Sequence, residues 1–277
     1  TLGAGGGTFD VDAAKNLTYA ANIAGAGGLT KTGAGTLTLS GANTYAGGTS
    51  LNAGTLVVGS DTALGDAAGA LTINGGTLAA NATHTLANDV VVNNDFSFYT
   101  AVSQPLNLNN VNLGGATRTL TGLGASDRLN VNGVVSGTAG VNYDATYGSR
   151  IYYQGAAPNT LTGTTTVGNG FTLNLKKDDN ITAIADALTI NAGGVVVVFN
   201  DEQIADAATV QVDGSLYINS GVTETLGNLA GAGSVLFDHV SNLNVEQGSF
   251  AGVFNESVSN GSLYLTKTSA GTLTLTG

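Results

Sequence analysis

Residues 29–41 read LTKTGAGTLTLSG, and residues 263–277 read LYLTKTSAGTLTLTG, so one phrase of alternating Leu and Thr returns almost unchanged. Repetition at this distance is typical of solenoids and arrays, in which each unit packs on the next. The alternation has the period of a half-buried β-strand. We therefore predict a repeating β-structure.

A worn copy of the same sequence lies in the middle of the chain. Residues 151–167, IYYQGAAPNTLTGTTTV, follow residues 37–51, LTLSGANTYAGGTSL, with two residues inserted. This alignment makes Gly41, Gly155 and Gly277 equivalent positions.

The copies divide the chain into units. We expect one β-helical segment over residues 1–277, with repeat units at about 29–140 and 141–262 and a truncated copy at 263–277. A chain that starts at Thr1 without Met, signal peptide or spanning helix resembles a piece of a longer, processed polypeptide.

Short strand–turn–strand phrases recur between the copies. Residues 50–58 (SLNAGTLVV), 70–78 (ALTINGGTL) and 188–198 (LTINAGGVVVV) each place a small-residue turn between two strands. A meander or sandwich would pair these strands as hairpins, whereas a β-solenoid stacks each strand on its counterpart one coil later. The phased apolar positions favour an all-β parallel solenoid of roughly 11–13 coils, with a set of inward side chains: Leu37, Leu39, Leu56, Leu71 and Ile73.

Composition narrows the class of protein. Glycine supplies 42 of 277 residues and proline only two, while 42% of residues are hydrophobic and 10% are charged, against about 25% in an average protein. Disorder requires the opposite balance. The net charge of −11 argues against nucleic acid as a partner, because binding to phosphates requires stripes of Lys and Arg.

Asparagines lie at or beside the predicted corners. An amide there can bond the backbone of its own turn or stack with amides of neighbouring coils. Both arrangements remain open for four residues: Asn52, Asn74, Asn132 and Asn191.

The segment 27–60, GGLTKTGAGTLTLSGANTYAGGTSLNAGTLVVGS, closely resembles the passenger-associated transport repeat of bacterial autotransporters, also called the autotransporter-associated β-strand repeat. Residues 63–79 and 223–235 resemble the linking stretches of that family. At residues 141–150 the chain departs from the pattern, because VNYDATYGSR replaces the LTKTGAG phrase and Lys31 has no counterpart there.

The resemblance implies a right-handed parallel β-helix from an exported passenger region, extracellular or displayed on the cell surface. Family members are mostly adhesins, self-association factors and other surface or virulence proteins. The resemblance therefore implies an adhesive stalk whose partner is a glycan or protein on a host or neighbouring cell. It implies attachment to a membrane only through a C-terminal barrel outside this sequence.

A polysaccharide-processing β-helix is the alternative reading. Glycosidic catalysis needs two carboxyl groups facing each other across the substrate, whereas neighbours along a strand point to opposite faces. The adjacent pairs Asp178–Asp179 and Asp201–Glu202 therefore give no such arrangement. We expect no enzymatic activity.

No cofactor or metal is expected either. The chain has no cysteine, and its two histidines, His84 and His239, lie in no metal or triad spacing.

One aromatic segment lies inside the altered repeat. Tyr and Arg dominate binding hot spots, so we expect ligand or partner contacts from four residues: Tyr143, Tyr147, Arg150 and Tyr152. Tyr153 is expected to fill the core instead.

The ends of the solenoid carry a further expectation. No charged or helical cap is visible at either end, and unpaired strand edges are templates for another chain. We therefore expect either that the isolated chain associates head to tail, as an end-to-end polymerising filament module, or that further coils continue directly from residue 277 in a longer protein.

Overall fold

A computed structural model describes residues 1–101, 104–256 and 262–277. Within these residues the chain forms strands and turns without a helix, and every pair of neighbouring strands is parallel. The strands lie in three long sheets and one two-stranded pair.

Sheet 1 contains eight strands that stack from the first coils to the middle of the molecule. They are β1 (Gly7–Asp10), β4 (Leu29–Thr32), β7 (Thr49–Leu51), β9 (Leu71–Ile73), β12 (Val90–Val92), β15 (Val111–Asn112), β18 (Val135–Gly137) and β21 (Thr160–Leu161).

Sheet 2 runs through the whole described chain and contains fourteen strands. They are β2 (Asn16–Tyr19), β5 (Thr36–Leu39), β8 (Thr55–Val58), β10 (Thr77–Ala80), β13 (Phe96–Thr100), β16 (Arg118–Gly122), β19 (Val141–Ala145), β22 (Thr165–Val167), β24 (Leu188–Ile190), β26 (Thr209–Val212), β28 (Thr223–Gly231), β30 (Val240–Phe250), β32 (Ser262–Lys267) and β33 (Leu273–Leu275).

Sheet 3 forms the third face from the fourth coil onward, and a short pair of strands precedes it. Its strands are β11 (His84–Thr85), β14 (Leu106–Leu108), β17 (Arg128–Val131), β20 (Arg150–Gly155), β23 (Thr172–Lys177), β25 (Val195–Val198), β27 (Ser215–Ile218), β29 (Ser234–Phe237) and β31 (Val253–Glu256), while the pair is β3 (Ala24–Gly25) with β6 (Thr44–Tyr45).

One apolar core fills the space between the sheets from Val11 to Phe250. Inward residues alternate with outward ones along each strand, as the two-residue period of a strand requires. The five predicted inward residues, Leu37, Leu39, Leu56, Leu71 and Ile73, are all fully buried. The all-β solenoid is confirmed, and its roughly twelve turns fall within the predicted range. Its right-handed winding and the unit boundaries remain predictions.

The predicted equivalence of Gly41 and Gly155 is wrong. The phrase around Leu37 lies in β5 of sheet 2, whereas its worn copy around Ile151 lies in β20 of sheet 3. The phrase at 188–198 is displaced in the same direction, since it joins sheet 2 to sheet 3 where 70–78 joins sheet 1 to sheet 2. A strand–turn–strand phrase specifies a corner, and a solenoid offers a corner between each pair of faces.

The final phrase returns only in part to the original faces. Its second strand, β33, lies in sheet 2 like β5, whereas its first strand, β32, lies in sheet 2 although β4 lies in sheet 1. Thr274 of β33 pairs with Ser249 in sheet 2, as Thr38 of β5 pairs with Val57. Gly277 is therefore structurally equivalent to Gly41, as predicted.

Candidate functional site

The aromatic segment predicted from the sequence turns the corner between sheet 2 and sheet 3. It leaves β19 through a short turn and enters β20 at Arg150. Tyr147 lies in that turn and is 62% exposed. Along β20, Arg150 and Tyr152 face outward, while Ile151 and Tyr153 face the core.

Tyr143 is a core residue, so its predicted contact with a ligand is wrong. It is only 2% exposed, its ring stacks on Phe171 with centroids 5.2 Å apart, and its hydroxyl bonds the hydroxyl of Tyr153. Burial raises the pKa of both phenols above the usual value of 10. The predicted core position of Tyr153 is confirmed.

Tyr152 belongs to a row of stacked cations and rings on the outer face of sheet 3. The Arg128 guanidinium carbon lies 4.1 Å from the centroid of the Tyr152 ring. Tyr152 meets the Phe199 ring at 6.3 Å, and the Lys176 Nζ lies 5.7 Å from the Phe199 centroid. Arg150 stacks in register with Arg128. We call these five residues, Arg128, Arg150, Tyr152, Lys176 and Phe199, the basic stripe.

The sequence prediction missed Arg128, Lys176 and Phe199 because they lie outside the aromatic segment. Two of them, Arg128 and Lys176, could have been found from the number of residues in a coil. Arg128 and Arg150 are one coil apart, as are Gln154 and Lys176. A search at the period of the solenoid, rather than along the chain, would have placed these basic residues beside the predicted site.

One of the two acidic pairs, Asp201–Glu202, holds neighbouring coils together. Asp201 accepts the Thr223 N–H at 2.7 Å, and Glu202 accepts both the N–H and the hydroxyl of Thr225 at 3.3 and 3.0 Å. Burial raises the pKa of Glu202, and Asp206 raises it further. Asp178 and Asp179 are exposed in the turn after β23.

Amides outside the core form a short ladder. Asn74 donates to the side-chain oxygen of Asn52 at 2.7 Å, and Asn93 donates to Asn74 at 2.9 Å. Of the two arrangements left open for Asn52 and Asn74, these residues therefore form the ladder with amides of neighbouring coils. Asn132 and Asn191 take part in no such ladder within the described ranges.

Other amides inside the core bridge three successive coils. The Asn43 oxygen accepts the Ile23 N–H at 2.8 Å while its amino group donates to the Ala63 carbonyl at 2.6 Å. Asn159 does the same with Val135 and Ala183. Buried polar groups need such partners because an unpaired one costs about 1–3 kcal/mol.

A buried lysine satisfies carbonyl groups at the corners. Lys31 is fully buried, and its Nζ donates to the carbonyls of Thr32, Gly33 and Ala53 at 2.5 to 3.2 Å. Burial lowers its pKa below the usual 10.5, against an opposing effect of Asp10.

The middle of the chain supplies the same contact from a different strand. No lysine replaces Lys31 in residues 141–150, yet Lys177 of β23 is fully buried and donates to the carbonyls of Gly133 and Gln154 at 2.9 and 3.1 Å. Burial lowers its pKa to about 8.

Within the part of the chain that the structure describes, no set of metal ligands comes together. Among the described residues, no three His, Cys, Asp or Glu side chains are grouped closely enough to hold a metal ion. His84 instead lies 3.0 Å from Asp61 and 3.1 Å from Asn81, and His239 bonds Asp238. Over the same described ranges no helix has the length and apolarity needed to cross a membrane.

Comparison with known proteins gives one match. Residues 29–58, which form β4 to β8, match the model of the passenger-associated-transport-repeat family. No curated protein and no solved structure matches the chain. The family implies a secreted or surface-displayed protein. The solenoid and the repeat at its N-terminal end fit a stalk of that kind, and this chain carries an autotransporter passenger repeat.

Proposed function

We propose that this chain is a structural, adhesive stalk displayed outside the cell, which extends from the surface and contacts glycans or proteins on a host or neighbouring cell. The observation that carries the proposal is the single core, which continues through about twelve turns beneath three parallel sheets. At about 4.8 Å per coil the rod is roughly 55 Å long.

The acid–base groups support a mechanical role. The Asp201 and Glu202 side chains accept backbone N–H groups of the next coil, which stabilises the stack. These side chains therefore stabilise the rod rather than catalyse a reaction.

A display experiment tests the adhesive stalk. Cells carrying the chain on a surface anchor should adhere to epithelial cells, or clump with each other, more than cells carrying the anchor alone. A matched chain lacking residues 55–76 loses one turn, because Thr77 stacks on Thr55, and should retain adhesion. Verified display without adhesion or clumping would contradict the proposal.

The competing enzymatic function has its own test. Purified protein should release no reducing or unsaturated sugars from pectin-like or mucin-like glycans, with or without calcium. Turnover that disappears when Asp178, Asp179, Asp201 or Glu202 is changed to Ala would contradict the stalk.

A specific observation favours end-to-end association as a second function. In the last coil Tyr264 and Leu275 are 58% and 47% exposed, and at the first coil a pocket of about 180 Å³ is lined by Leu2, Phe9 and Tyr19. Open strand edges beside apolar side chains favour pairing with another copy. Light scattering over a concentration series should show association that Tyr264→Asp and Leu275→Asp abolish, and strict monomers would contradict it.

A further inference from the structure

The basic stripe carries a local charge opposite to that of the whole chain. The sequence has 19 acidic and 8 basic residues. Three of the eight, Arg128, Arg150 and Lys176, lie on the outer face of sheet 3. Among the outward positions of its strands from β14 to β29, all within the described chain, none is Asp or Glu.

Two of these cations occupy directly opposite positions on neighbouring strands. Arg128 and Arg150 are register partners on neighbouring parallel strands, which lie about 4.8 Å apart. Like charges placed directly opposite across a sheet are destabilising. The folded chain nevertheless places Arg128 and Arg150 side by side on the outer face of sheet 3.

No internal carboxylate neutralises the pair. In the described chain the only ion pairs join His84 to Asp61 and His239 to Asp238. Asp127 precedes Arg128 but is 1% exposed, and its oxygens accept the N–H groups of Thr100 and Gly124. The positive charge of the stripe therefore remains available to a ligand.

A ring contact and side-chain hydrogen bonds also fix the conformation of Arg128 in the basic stripe. The Arg128 guanidinium lies over the Tyr152 ring, and its Nε donates to the Asn130 oxygen at 2.9 Å. Asn130 in turn donates to Asn107 at 2.7 Å. A guanidinium fixed in one plane loses less entropy when it binds a carboxylate or sulfate with two hydrogen bonds.

The dimensions favour a linear ligand. The height of four coils and the length of one six-residue strand give a patch of roughly 20 by 20 Å, about 400 Å², whereas a stable protein interface buries about 800 Å² per partner. A polysaccharide is a linear polymer and needs only a narrow binding surface. Its anionic groups can meet the cations of successive coils while its sugar rings lie against Tyr152 and Phe199.

We propose that the basic stripe binds an anionic polysaccharide, carboxylated or sulfated, that lies along the axis of the rod. This inference rests on the proposed adhesive function, because a stalk outside the cell meets such polymers, and it names the ligand class of that function.

The test uses the purified 277-residue chain against immobilised heparin, polygalacturonate and neutral dextran. The parent should bind at least one of the two anionic polymers, which identifies sulfate or carboxylate as the preferred group, and should bind dextran at least about tenfold more weakly. Binding should weaken as salt rises from about 50 to about 300 mM, since salt screens exposed charges. A parent chain that binds neither heparin nor polygalacturonate would overturn the proposal.

Matched variants locate the site. Changing Arg128, Arg150 and Lys176 together to Gln should weaken binding at least about tenfold. The control changes exposed Lys15 and Lys267 to Gln and should leave affinity within about twofold, although it too makes the chain more acidic. Equal losses in the two variants would overturn the assignment to the stripe.

Two further arms separate ligand classes and functions. Tyr152→Leu should weaken polysaccharide binding several-fold, and competition by polyglutamate as strong as by the polysaccharide would favour an acidic protein and overturn the glycan assignment. If cells displaying the triple Gln variant still adhere fully, the stripe is not the adhesive site, while the adhesive function stands. Unchanged elution on gel filtration verifies that each variant remains folded.

Discussion

At the scale of single residues, the core is the part of this protein that the sequence predicts best. Alternation along a strand determines which side chains point inward, and it correctly predicts that Leu37 and Ile73 are buried. Tyr143 shows where this reasoning is insufficient. It alternates with polar neighbours, but an aromatic hydroxyl suits a surface as well as a core, and only the partner hydroxyl of Tyr153 inside the solenoid makes burial of Tyr143 favourable.

Ile73 provides the most direct test of the core. Ile73→Asp buries an unpaired charge and should lower the free energy of unfolding by about 3–5 kcal/mol. Thr72→Asp, on the outward side of the same strand, is the control and should change stability little. Urea unfolding measures the free energy of unfolding of both variants, and thermal unfolding measures their melting temperatures. An Ile73→Asp protein that melts within a degree or two of the parent would contradict the assignment.

Glu224 gives the rod a dependence on pH. It is fully buried, and its two oxygens accept the N–H groups of Gln203 and Ile204 at 2.9 and 3.0 Å. Burial raises its pKa well above the usual 4.5, and the charges of Glu202 and Asp206 raise it further, against those two hydrogen bonds. The folded state thus holds a proton that the unfolded state releases. This contribution to stability is complete below pH 4.5 and is lost as the pH rises through the folded pKa.

Replacing Glu224 by Gln should remove that dependence. Melting temperatures of the parent should fall as the pH rises above 4.5 and through the raised pKa of Glu224, and the Glu224→Gln protein should show a shallower fall. Glu256→Gln changes an exposed glutamate and serves as the control. Parallel pH profiles for all three proteins would show that Glu224 does not titrate in this way.

At the scale of elements, strand positions follow from the sequence but their faces do not. The phrases at 50–58 and 188–198 each predict two strands around a turn, and both predictions are confirmed. Their assignment to different pairs of sheets depends on how many residues each earlier corner uses, which local propensity does not encode. The buried amides illustrate this, because Asn43 and Asn159 make the same bridge at different corners of the coil.

Those bridges should contribute more than the exposed ladder does. Asn159→Ala leaves the Val135 N–H and the Ala183 carbonyl unpaired inside the core, so we expect a loss of about 1–3 kcal/mol. Asn74→Ala breaks two bonds in contact with water and should cost about 1 kcal/mol or less. Denaturant titration compares them, and an equal or larger loss for Asn74→Ala would contradict the role given to the inner amides.

At the scale of the whole molecule, repetition identified the architecture but not the ligand. Copies of one phrase predict a stack because each coil can bury its apolar edge only against the next. The basic stripe escaped prediction because its members lie in different coils, and their proximity exists only once the coils are stacked.

The central claim is that the chain forms one continuous rod, and a distance between spin labels tests it most directly. The chain has no cysteine, so labels at Thr38→Cys and Ser249→Cys would be unique. Both lie on the outer face of sheet 2, ten strand steps apart. At about 4.8 Å per step, pulsed electron resonance should give a single narrow distribution near about 48 Å plus the label linkers. A distance near half that value, or a broad distribution, would contradict the solenoid.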